Sequence, residues 1–435
     1  MKKIISIVVG ILFSVSCLFA ENVSSISVSD SAVGWASYTG EKDLTGQKIN
    51  VPSPKGVNGG EGGQVFTVSN RAELLAALSK GSKRIIYVDG IVDMTDTGKG
   101  SLIPSEVTGS TVGLDEMIRK ATAGSVLPCK TYKEWKTKYT ASFNYDENQS
   151  GAIKDLRTEL NNAWKELITL RLEDNTTLIG LGENSGIRGV SFVVKGKKNV
   201  IVRNLSISDC YNPFPKIEDN DGLNADFDCV SIQGSSYVWI DHCSIFSTFS
   251  AEDIKADVYS TKDGQKIKWQ VYDGLCDITN TNDFVTISWN TFKNHDKTML
   301  IGNSDKNVAD KGHQTITVHH NNFDGCTQRL PMVRFATIHI YNNVYTNTKS
   351  KGIDRRQDCR IYSEANWFSD KEKSVTSNTF GSFFDIGSEN IKTTGLSKTA
   401  EWNPSDYYKY SAESASSAKE NVLKFAGNGK LPVQK

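Results

Sequence analysis

Four aspartates lie in two short segments where their carboxylates could share a ligand. Asp226 and Asp228 are two residues apart in ADFDCVSI, and Asp273 and Asp277 are four residues apart in YDGLCDITN. Residues two apart in an extended strand point to the same side, so Asp226 and Asp228 could face one site. Carboxylate oxygens are ligands that calcium prefers, at about 2.3 to 2.6 Å. The pattern indicates a candidate calcium site, although paired loop aspartates are more often solvated surface residues.

The second pair of aspartates can share an ion only if the chain bends between them. Four extended residues cover about 13 Å, which is too far for two ligands of one calcium. Gly274 follows Asp273 and permits a bend.

A second cluster is cationic. Lys297 lies in NHDKTMLIG, and Arg329 and Arg334 lie in QRLPMVR. Taken alone, such residues are as readily explained by surface salt bridges. If they line one groove with the aspartates, calcium on one side and cations on the other suit a polymer that carries carboxylates.

Repeated β segments predict the scaffold that would position these groups. Six alternating segments between Thr177 and Phe368 align in one column, and each column residue is followed two residues later by Ile, Phe or Tyr. The column consists of Leu205, Cys243, Asn290, Asn321, Asn343 and Asn366. The last two spacings are 22 and 23 residues, which is typical of stacked solenoid coils. The pattern predicts an all-β parallel solenoid of about seven to nine coils with a ladder of asparagine amides, whereas a sandwich of unrelated strands predicts no such column.

The rest of the chain predicts additions to this solenoid. Helical periodicity is confined chiefly to Asn70–Ser79 and Ile153–Leu167. Long insertions are expected at Asp93–Glu173 and Ser247–Tyr272. The tail Ser416–Leu431 is expected to cap one end of the core. No linker divides the chain, so residues 21–435 are predicted to form one domain.

The first twenty residues have the pattern of a secretory signal peptide. Two lysines precede an apolar run, Ile4–Phe13, and small residues lead to Ala20. We expect cleavage near Ala20 and export to the extracellular space or the periplasm. Lipid attachment at Cys17 is an alternative, but Ser14 stands where a lipid-attachment motif usually has Leu.

Composition excludes several other classes of protein. The chain has 50 Lys plus Arg and 50 Asp plus Glu with no long run of one sign, which argues against a nucleic-acid partner. No later segment approaches the roughly 20 apolar residues of a membrane span. Seven cysteines remain after residue 20, without a CxxC pair, so a zinc site is not indicated. One or two disulfides stay possible, and Cys243 is expected to be a small core residue.

Longer motifs give the sequence a family resemblance. VWIDHCSI, DGLCDITNTNDFVTISWNTFKNHDKTMLIG and VHHNNFDGCTQRLPMVRF resemble the signature and the central block of the pectate lyases of polysaccharide lyase family one. The similarity runs from about Val57 to Phe368. It implies a right-handed, single-stranded parallel β-helix with long loop insertions and a few short helices. It also implies a secreted, monomeric enzyme that cleaves polygalacturonate by calcium-dependent β-elimination.

Carried over residue by residue, the resemblance assigns the metal site. It makes Asp228, Asp273 and Asp277 the primary calcium ligands. Asp226 becomes a further ligand that engages when substrate brings more calcium.

The resemblance also assigns the groups that act on substrate. Arg329 falls on the catalytic base, and Lys297 and Arg334 fall on the contacts to substrate carboxylates. His242 lies inside the signature, but its alternation places it in a packed segment, and a structural role is expected.

Three other functions compete with this interpretation. A pectin lyase acts on methyl esters without calcium, and it usually has an arginine and an aromatic cleft in place of the carboxylates. A polygalacturonase shares the solenoid, but its Gly-His-Gly motif is absent. A non-catalytic β-helix that only binds polysaccharide would have no reason to combine Arg329 and Lys297 with the aspartates.

Overall fold

The structure, a computed structural model, describes residues 25–105, 110–146, 148, 150–218, 221–249, 258–378 and 380–435. The predicted signal peptide, residues 1–20 with Cys17, lies outside these ranges. No helix within them is both long enough and apolar enough to cross a lipid bilayer.

Three parallel sheets form the body of the molecule. Sheet 1 contains ten strands: Gln64–Val68, Arg84–Val88, Thr176–Gly180, Lys198–Arg203, Ser236–Asp241, Asp283–Ser288, Thr315–His319, Thr337–Tyr341, Arg360–Glu364 and Ser382–Ile386. Sheet 2 contains eight strands: Ile91–Asp93, Gly186–Arg188, Ser206–Ser208, Ser244–Phe246, Thr291–Lys293, Asn322–Asp324, Val344–Thr346 and Trp367–Phe368. Sheet 3 contains seven strands: Thr169–Arg171, Ser191–Lys195, Val230–Gln233, Cys276–Thr279, Leu300–Ile301, Met332–Val333 and Asp354–Arg355.

The chain visits these sheets in a fixed order. One coil runs through Lys198–Arg203 of sheet 1, Ser206–Ser208 of sheet 2 and Val230–Gln233 of sheet 3, and the next coil begins at Ser236. Each strand pairs in parallel with the equivalent strand of the next coil. The predicted right-handed parallel β-helix is confirmed.

Side-chain amides at the turn between sheets 1 and 2 form the predicted ladder. Asn290 donates from its backbone N and its Nδ2 to Asn321 Oδ1, at 2.9 and 3.0 Å. The same pair of hydrogen bonds links Asn321 to Asn343 and Asn343 to Asn366, with every distance between 2.9 and 3.0 Å. All four side chains are buried, so each amide satisfies the backbone of the coil before it.

Aromatic rings stack inside the solenoid two residues after the ladder. The ring centroids of Phe292 and Phe323, and those of Phe323 and Tyr345, are 5.0 Å apart. Tyr345 and Phe368 follow at 4.4 Å. The Asn-x-aromatic repeat therefore supplies both the hydrogen bonds of the turn and part of the core.

The described helices are few. They are α1 (Arg71–Leu78), α2 (Val112–Ala121), α3 (Tyr132–Thr140), α4 (Ala152–Ile168) and α5 (Ala415–Phe425), with 3-10 turns at Trp35–Ser37, Val308–Asp310, Lys371–Lys373 and Pro404–Asp406. Helix α1 begins after Asn70, whose side chain accepts a bond from Glu73 N at 3.0 Å. Helices α2 to α4 form within the predicted insertion Asp93–Glu173, where the sequence predicted only α4.

Three small sheets complete the secondary structure. Ile26–Ser27 pairs in parallel with Val433–Gln434. Two antiparallel pairs lie in loops that join sheet 2 to sheet 3: Lys216–Glu218 with Gly222–Asn224, and Val258–Ser260 with Lys266–Lys268.

The prediction that the C-terminal tail caps one end of the core is wrong. Helix α5 packs against the sheet 2 strands Val344–Thr346 and Trp367–Phe368. Beyond it, Gly429 N donates to Asn204 Oδ1 at 2.7 Å, several coils away. The tail therefore runs along the side of the solenoid, because its apolar residues pack on the flank.

All seven cysteines from Cys129 to Cys359 are described, buried and free of disulfide bonds. Cys243 is fully buried, as expected of a core residue.

Candidate active site

Six of the seven predicted site residues come from loops that join sheet 2 to sheet 3 on successive coils or from the start of sheet 3, and Arg334 directly follows the sheet 3 strand Met332–Val333. Asp228 precedes the strand Val230–Gln233, and Asp277 lies in the next strand of that sheet. Lys297 and Arg329 lie on the two following coils, shortly before their sheet 3 strands. Isolated parallel bridges join Gly274 to Lys297 and Lys297 to Gln328, so these loops stack directly. Stacking of coils, rather than sequence proximity, brings the residues together.

Asp228 and Asp277 converge on Gly274. Gly274 N donates to Asp228 Oδ1 at 3.0 Å. A Cβ atom at Gly274 would lie 2.6 Å from Asp277 Oδ1 and 2.7 Å from Asp228 Oδ1. Gly274 is therefore required because a side chain would fill the space between two carboxylates. The sequence alone predicts only a bend at Gly274.

The three aspartates repel one another in a poorly solvated place. Burial, followed by the charge of Asp273, raises the pKa of Asp228 to about 7. Burial, with repulsion from Asp228 and Asp273, raises the pKa of Asp277 well above its usual range. Burial also raises the pKa of Asp273, against the attraction of nearby cations. A cluster of carboxylates in this state favours a proton or a cation.

Asp273 is held from two sides. Its side chain accepts a bond from Lys297 Nζ at 3.3 Å, and its backbone carbonyl accepts one from His295 Nε2 at 2.5 Å. His295 Nδ1 lies 2.8 Å from Ser247 Oγ, and burial lowers the pKa of His295 to about 4. A neutral His295 with its proton on Nε2 therefore fixes the backbone of Asp273.

Lys297 is buried, with 8% of its surface exposed, and it has three oxygen atoms as hydrogen-bond partners. Besides Asp273, Nζ bonds to Asn224 Oδ1 at 2.8 Å and to Asp221 Oδ2 at 3.4 Å. Its ammonium group is thus held between the aspartates and the pair of strands Lys216–Glu218 and Gly222–Asn224.

Arg329 faces the aspartates without an ion pair to any described residue. Its charge lowers the pKa of Asp228, Asp273 and Asp277 against the effect of burial. Its Nε is buried and has no hydrogen-bond partner in the described structure. Its backbone φ is 60°, which is uncommon for a residue other than glycine. A buried donor without a partner calls for an explanation, and a ligand bound beside Arg329 would supply one.

Arg334 has other partners than the aspartates. Its Nε donates to Asp305 Oδ1 at 2.6 Å, and its Nη1 donates to Gly302 O at 3.1 Å. Arg356, on the following coil, donates to Asp305 Oδ2 at 3.1 Å. Two arginines thus share one exposed carboxylate beside the site.

Asp226 also bonds outside the cluster. Its Oδ2 accepts a bond from Asn161 of α4 at 3.0 Å, and its Oδ1 lies 3.1 Å from Lys216 Nζ. The segment between Asn224 and Val230 is not a strand, so the two-residue alternation that linked Asp226 to Asp228 does not apply there.

Comparisons with known proteins agree with this architecture. A family model described as pectate lyase matches residues 137–431. Pectate lyase from Bacillus subtilis (strain 168) is 30% identical over 396 residues, covering 84% of this chain and 87% of that protein. Pectate lyase E from Dickeya chrysanthemi is 37% identical over 297 residues, covering 60% of this chain and 73% of that protein. The chain belongs to the pectate lyase family.

A solved pectate lyase structure also aligns with most of this chain. A pectate lyase bound to a hexasaccharide is 26% identical, with a TM-score of 0.70 over 92% of this chain and 100% of that one. Membership of the pectate lyase family, predicted from the sequence motifs, is confirmed by these matches.

Asp228 and Asp277 fit a divalent cation, because Gly274 leaves space between their oxygens and Arg329 compensates their charges only in part. Asp273 would have to exchange its bond to Lys297 for one to the metal. Among the described residues, the group of three whose donor atoms all lie within 4.8 Å of one another is a different one, Asp43, Asp283 and His313; the three aspartates of the site are farther apart than that.

That second group is explained without a metal. His313 Nδ1 lies 2.6 Å from Asp283 Oδ2, and this contact raises the pKa of His313. An ion pair therefore accounts for its compactness.

Sequence reasoning missed the residues that hold the site residues in place. His295 fixes the backbone of Asp273, Asn224 fixes Lys297, and Asn161 and Lys216 bind Asp226. His295 lies two residues before Lys297, which was a usable signal. Asn161 had no such signal, because it lies in an insertion about 65 residues before its partner.

His242 has structural contacts, as the sequence predicted. Its Nδ1 lies 2.7 Å from Asp241 Oδ2, and its ring stacks on Trp289 with centroids 5.7 Å apart. None of its described contacts involves the aspartate cluster.

Proposed function

We propose that the chain is a secreted, calcium-dependent pectate lyase that cleaves α-1,4-linked polygalacturonate by β-elimination. The single observation that carries the proposal is the position of Arg329. Its Nε is buried and unpaired beside the buried Asp277 and the partly exposed Asp228 and Asp273, and burial with repulsion among these carboxylates raises the pKa of Asp277. An adhesin would have no use for an unpaired arginine next to a destabilised carboxylate cluster.

The metal site is proposed at Asp228, Asp273 and Asp277, with Asp226 as a further ligand. Calcium bound there would stabilise, as a Lewis acid, the negative charge that builds on the substrate carboxylate during proton removal. The unfavourable ionisation of Asp228 and Asp277 supports this assignment, because a divalent cation would compensate both charges.

Arg329 is proposed as the base that removes the proton from C5 of a galacturonate residue. An arginine can accept a proton only when its guanidine is neutral, and negatively charged aspartates nearby favour the charged form of the arginine. We therefore expect Arg329 to act as a base only when a cation has neutralised the aspartates and when Lys297 adds positive charge nearby.

Lys297 and Arg334 are proposed to bind substrate carboxylates. Lys297 would exchange Asp273 for a substrate carboxylate as Asp273 turns to the metal. Arg334 would share its guanidinium between Asp305 and the substrate, since Asp305 is about half exposed and can yield to another anion.

The elimination then balances without hydrolytic water. The C5–H bond breaks and its proton passes to Arg329. The electron pair forms the C4–C5 double bond, the C4–O4 bond breaks, and the departing oxygen takes a proton from solvent. The product is a 4,5-unsaturated oligogalacturonate.

The accompanying proposals concern location and assembly. The sequence of residues 1–20 supports export with cleavage near Ala20, and a monomer suffices because every proposed site residue comes from one chain.

The test is the ultraviolet absorbance of unsaturated product from polygalacturonate. We expect product to form with calcium, to stop when a chelator is added, and to resume when calcium is restored. Equal rates with and without chelator, or a preference for fully methyl-esterified pectin, would contradict the proposal. The second result would favour a pectin lyase instead.

A further inference from the structure

The long helix of the insertion reaches Asp226 through one buried amide. Asn161, in α4, donates from Nδ2 to Asp226 Oδ2 at 3.0 Å. Asn161 is 7% exposed, and its Oδ1 is buried without a hydrogen-bond partner in the described structure. An unpaired buried amide oxygen is unfavourable for stability alone, so a functional reason must be considered.

The second partner of Asp226 is a lysine from the opposite side. Lys216 Nζ lies 3.1 Å from Asp226 Oδ1 and 3.2 Å from Glu218 Oε1. The side chain of Lys216 is 46% exposed, whereas that of Asp226 is 21% exposed.

The two partners differ in how readily they can leave. Asn161 is anchored in a helix that is itself bound to the loop before Asp226: Trp164 Nε1 donates to Tyr211 O at 2.5 Å, and Arg157 Nη1 donates to Phe214 O at 3.0 Å. Lys216 has a long, flexible and half-exposed side chain. One oxygen of Asp226 is therefore fixed, and the other carries a replaceable cation.

We propose that Asn161 is a positioning residue that holds Asp226 for a cation, and that Lys216 occupies the place of that cation until calcium arrives with substrate. This inference rests on the proposed calcium-dependent lyase function. A hydrogen bond to a metal-ligating carboxylate orients it and raises metal affinity. The free Oδ1 of the same amide is an oxygen donor of the kind that calcium accepts.

The proposal predicts shifts of opposite sign for different substitutions. Asn161→Leu keeps the branched shape of the side chain but loses the hydrogen bond, so calcium affinity should fall about tenfold. Asn161→Asp also loses the Nδ2 donor but replaces the free amide oxygen with an anionic one, and because the added charge should outweigh the lost hydrogen bond, calcium affinity should rise. Lys216→Met removes the competing ammonium group, so calcium affinity should also rise, by about threefold.

The neighbouring Asn162 gives a matched control. It has the same residue type, lies in the same helix and is exposed. Asn162→Leu and Asn162→Asp should leave calcium affinity unchanged, although the second makes the same change in net charge.

The experiment is a calorimetric calcium titration of the full chain in the presence of oligogalacturonate. All variants carry Arg329→Lys so that the substrate is not cleaved, and their thermal midpoints are compared to detect loss of fold. If Asn161→Leu does not fold, Asn161→Asp and Lys216→Met still decide the question by the sign of their shifts.

Two results would overturn the inference while leaving the proposed function intact. Variants at Asn161 could bind calcium like the Asn162 controls, or Asn161→Asp could lose as much affinity as Asn161→Leu, which would indicate a structural role alone. Absence of calcium binding in the Arg329→Lys parent would instead contradict the proposed function, and this inference with it.

Discussion

The solenoid has two kinds of turn on the same coils, and they treat buried polar groups in opposite ways. At the turn between sheets 1 and 2, each ladder amide is paired with the next coil at 2.9 to 3.0 Å. At the turn between sheets 2 and 3, Asp228 and Asp277 repel each other and Arg329 Nε is unpaired. The first turn holds the coils together, and the second leaves charges for a ligand to complete.

This difference indicates how stability and function divide between the two turns. Substitutions in the ladder should change the free energy of unfolding and leave chemistry intact. Substitutions in the aspartate and arginine cluster should change chemistry far more than stability.

The largest expected effect comes from Arg329→Lys. Lysine keeps the positive charge but loses the planar group that would accept the proton, so kcat should fall by about 10²- to 10⁴-fold with a modest change in KM. Steady-state formation of unsaturated product measures both constants.

A matched control is Arg171→Lys, which makes the same exchange at a residue of sheet 3 whose side chain is 56% exposed. It should retain parental kcat. If Arg329→Lys keeps more than about a tenth of parental kcat, another residue takes the proton.

The two turns also differ in how far the sequence predicts them. The Asn-x-aromatic column repeats along the chain, so Asn290 to Asn366 could be aligned and their ladder predicted from spacing alone. Family motifs located Asp228, Asp273 and Asp277 in the same way. Asn161 could not be found, because no repeat or motif relates an insertion helix to a loop on another coil, and the packing of that helix against the loop after Tyr211 decides its contact. Lys216 lies in the same loop as Asp226, but no motif marks it as the partner of that residue.

The second prediction concerns the ladder. Asn321→Ala removes the acceptor of two bonds from Asn290 and the donor of bonds to the coil beyond, and it leaves buried donors unpaired. We expect the free energy of unfolding to fall by about 2 to 4 kcal/mol, while kcat of the folded protein stays near the parental value. Denaturant unfolding and product formation measure the two quantities.

Asn322→Ala is the control for the ladder, since Asn322 is adjacent but only half-buried and makes a single long bond to Thr346 at 3.3 Å. This substitution should lower the free energy of unfolding by less than about 1 kcal/mol. If both substitutions lowered the free energy of unfolding equally, the ladder would have no special role in stability.

The smallest effect, and the one that links stability to the site, is the pH dependence of the calcium-free protein. The pKa of Asp228 rises from 3.8 to about 7 in the folded state, and that of Asp277 is raised as well. The folded protein therefore binds more protons than the unfolded chain between about pH 4 and pH 7, so the free energy of unfolding falls as pH rises through this window. The loss should be about 1.4 kcal/mol per pH unit within this window for Asp228 alone, and saturating calcium should abolish it by replacing the protons. Asp277→Asn keeps the bond to Leu300 N but removes one repelling charge, so its calcium-free stability should decline less with pH and its calcium requirement should rise.

Asp358→Asn, at a side chain that is 52% exposed, should follow the parental curve. Thermal unfolding with and without calcium across this window measures all three proteins. A calcium-free parent whose stability stays level or increases from pH 4 to pH 7 would mean that the aspartates do not repel one another as their burial implies.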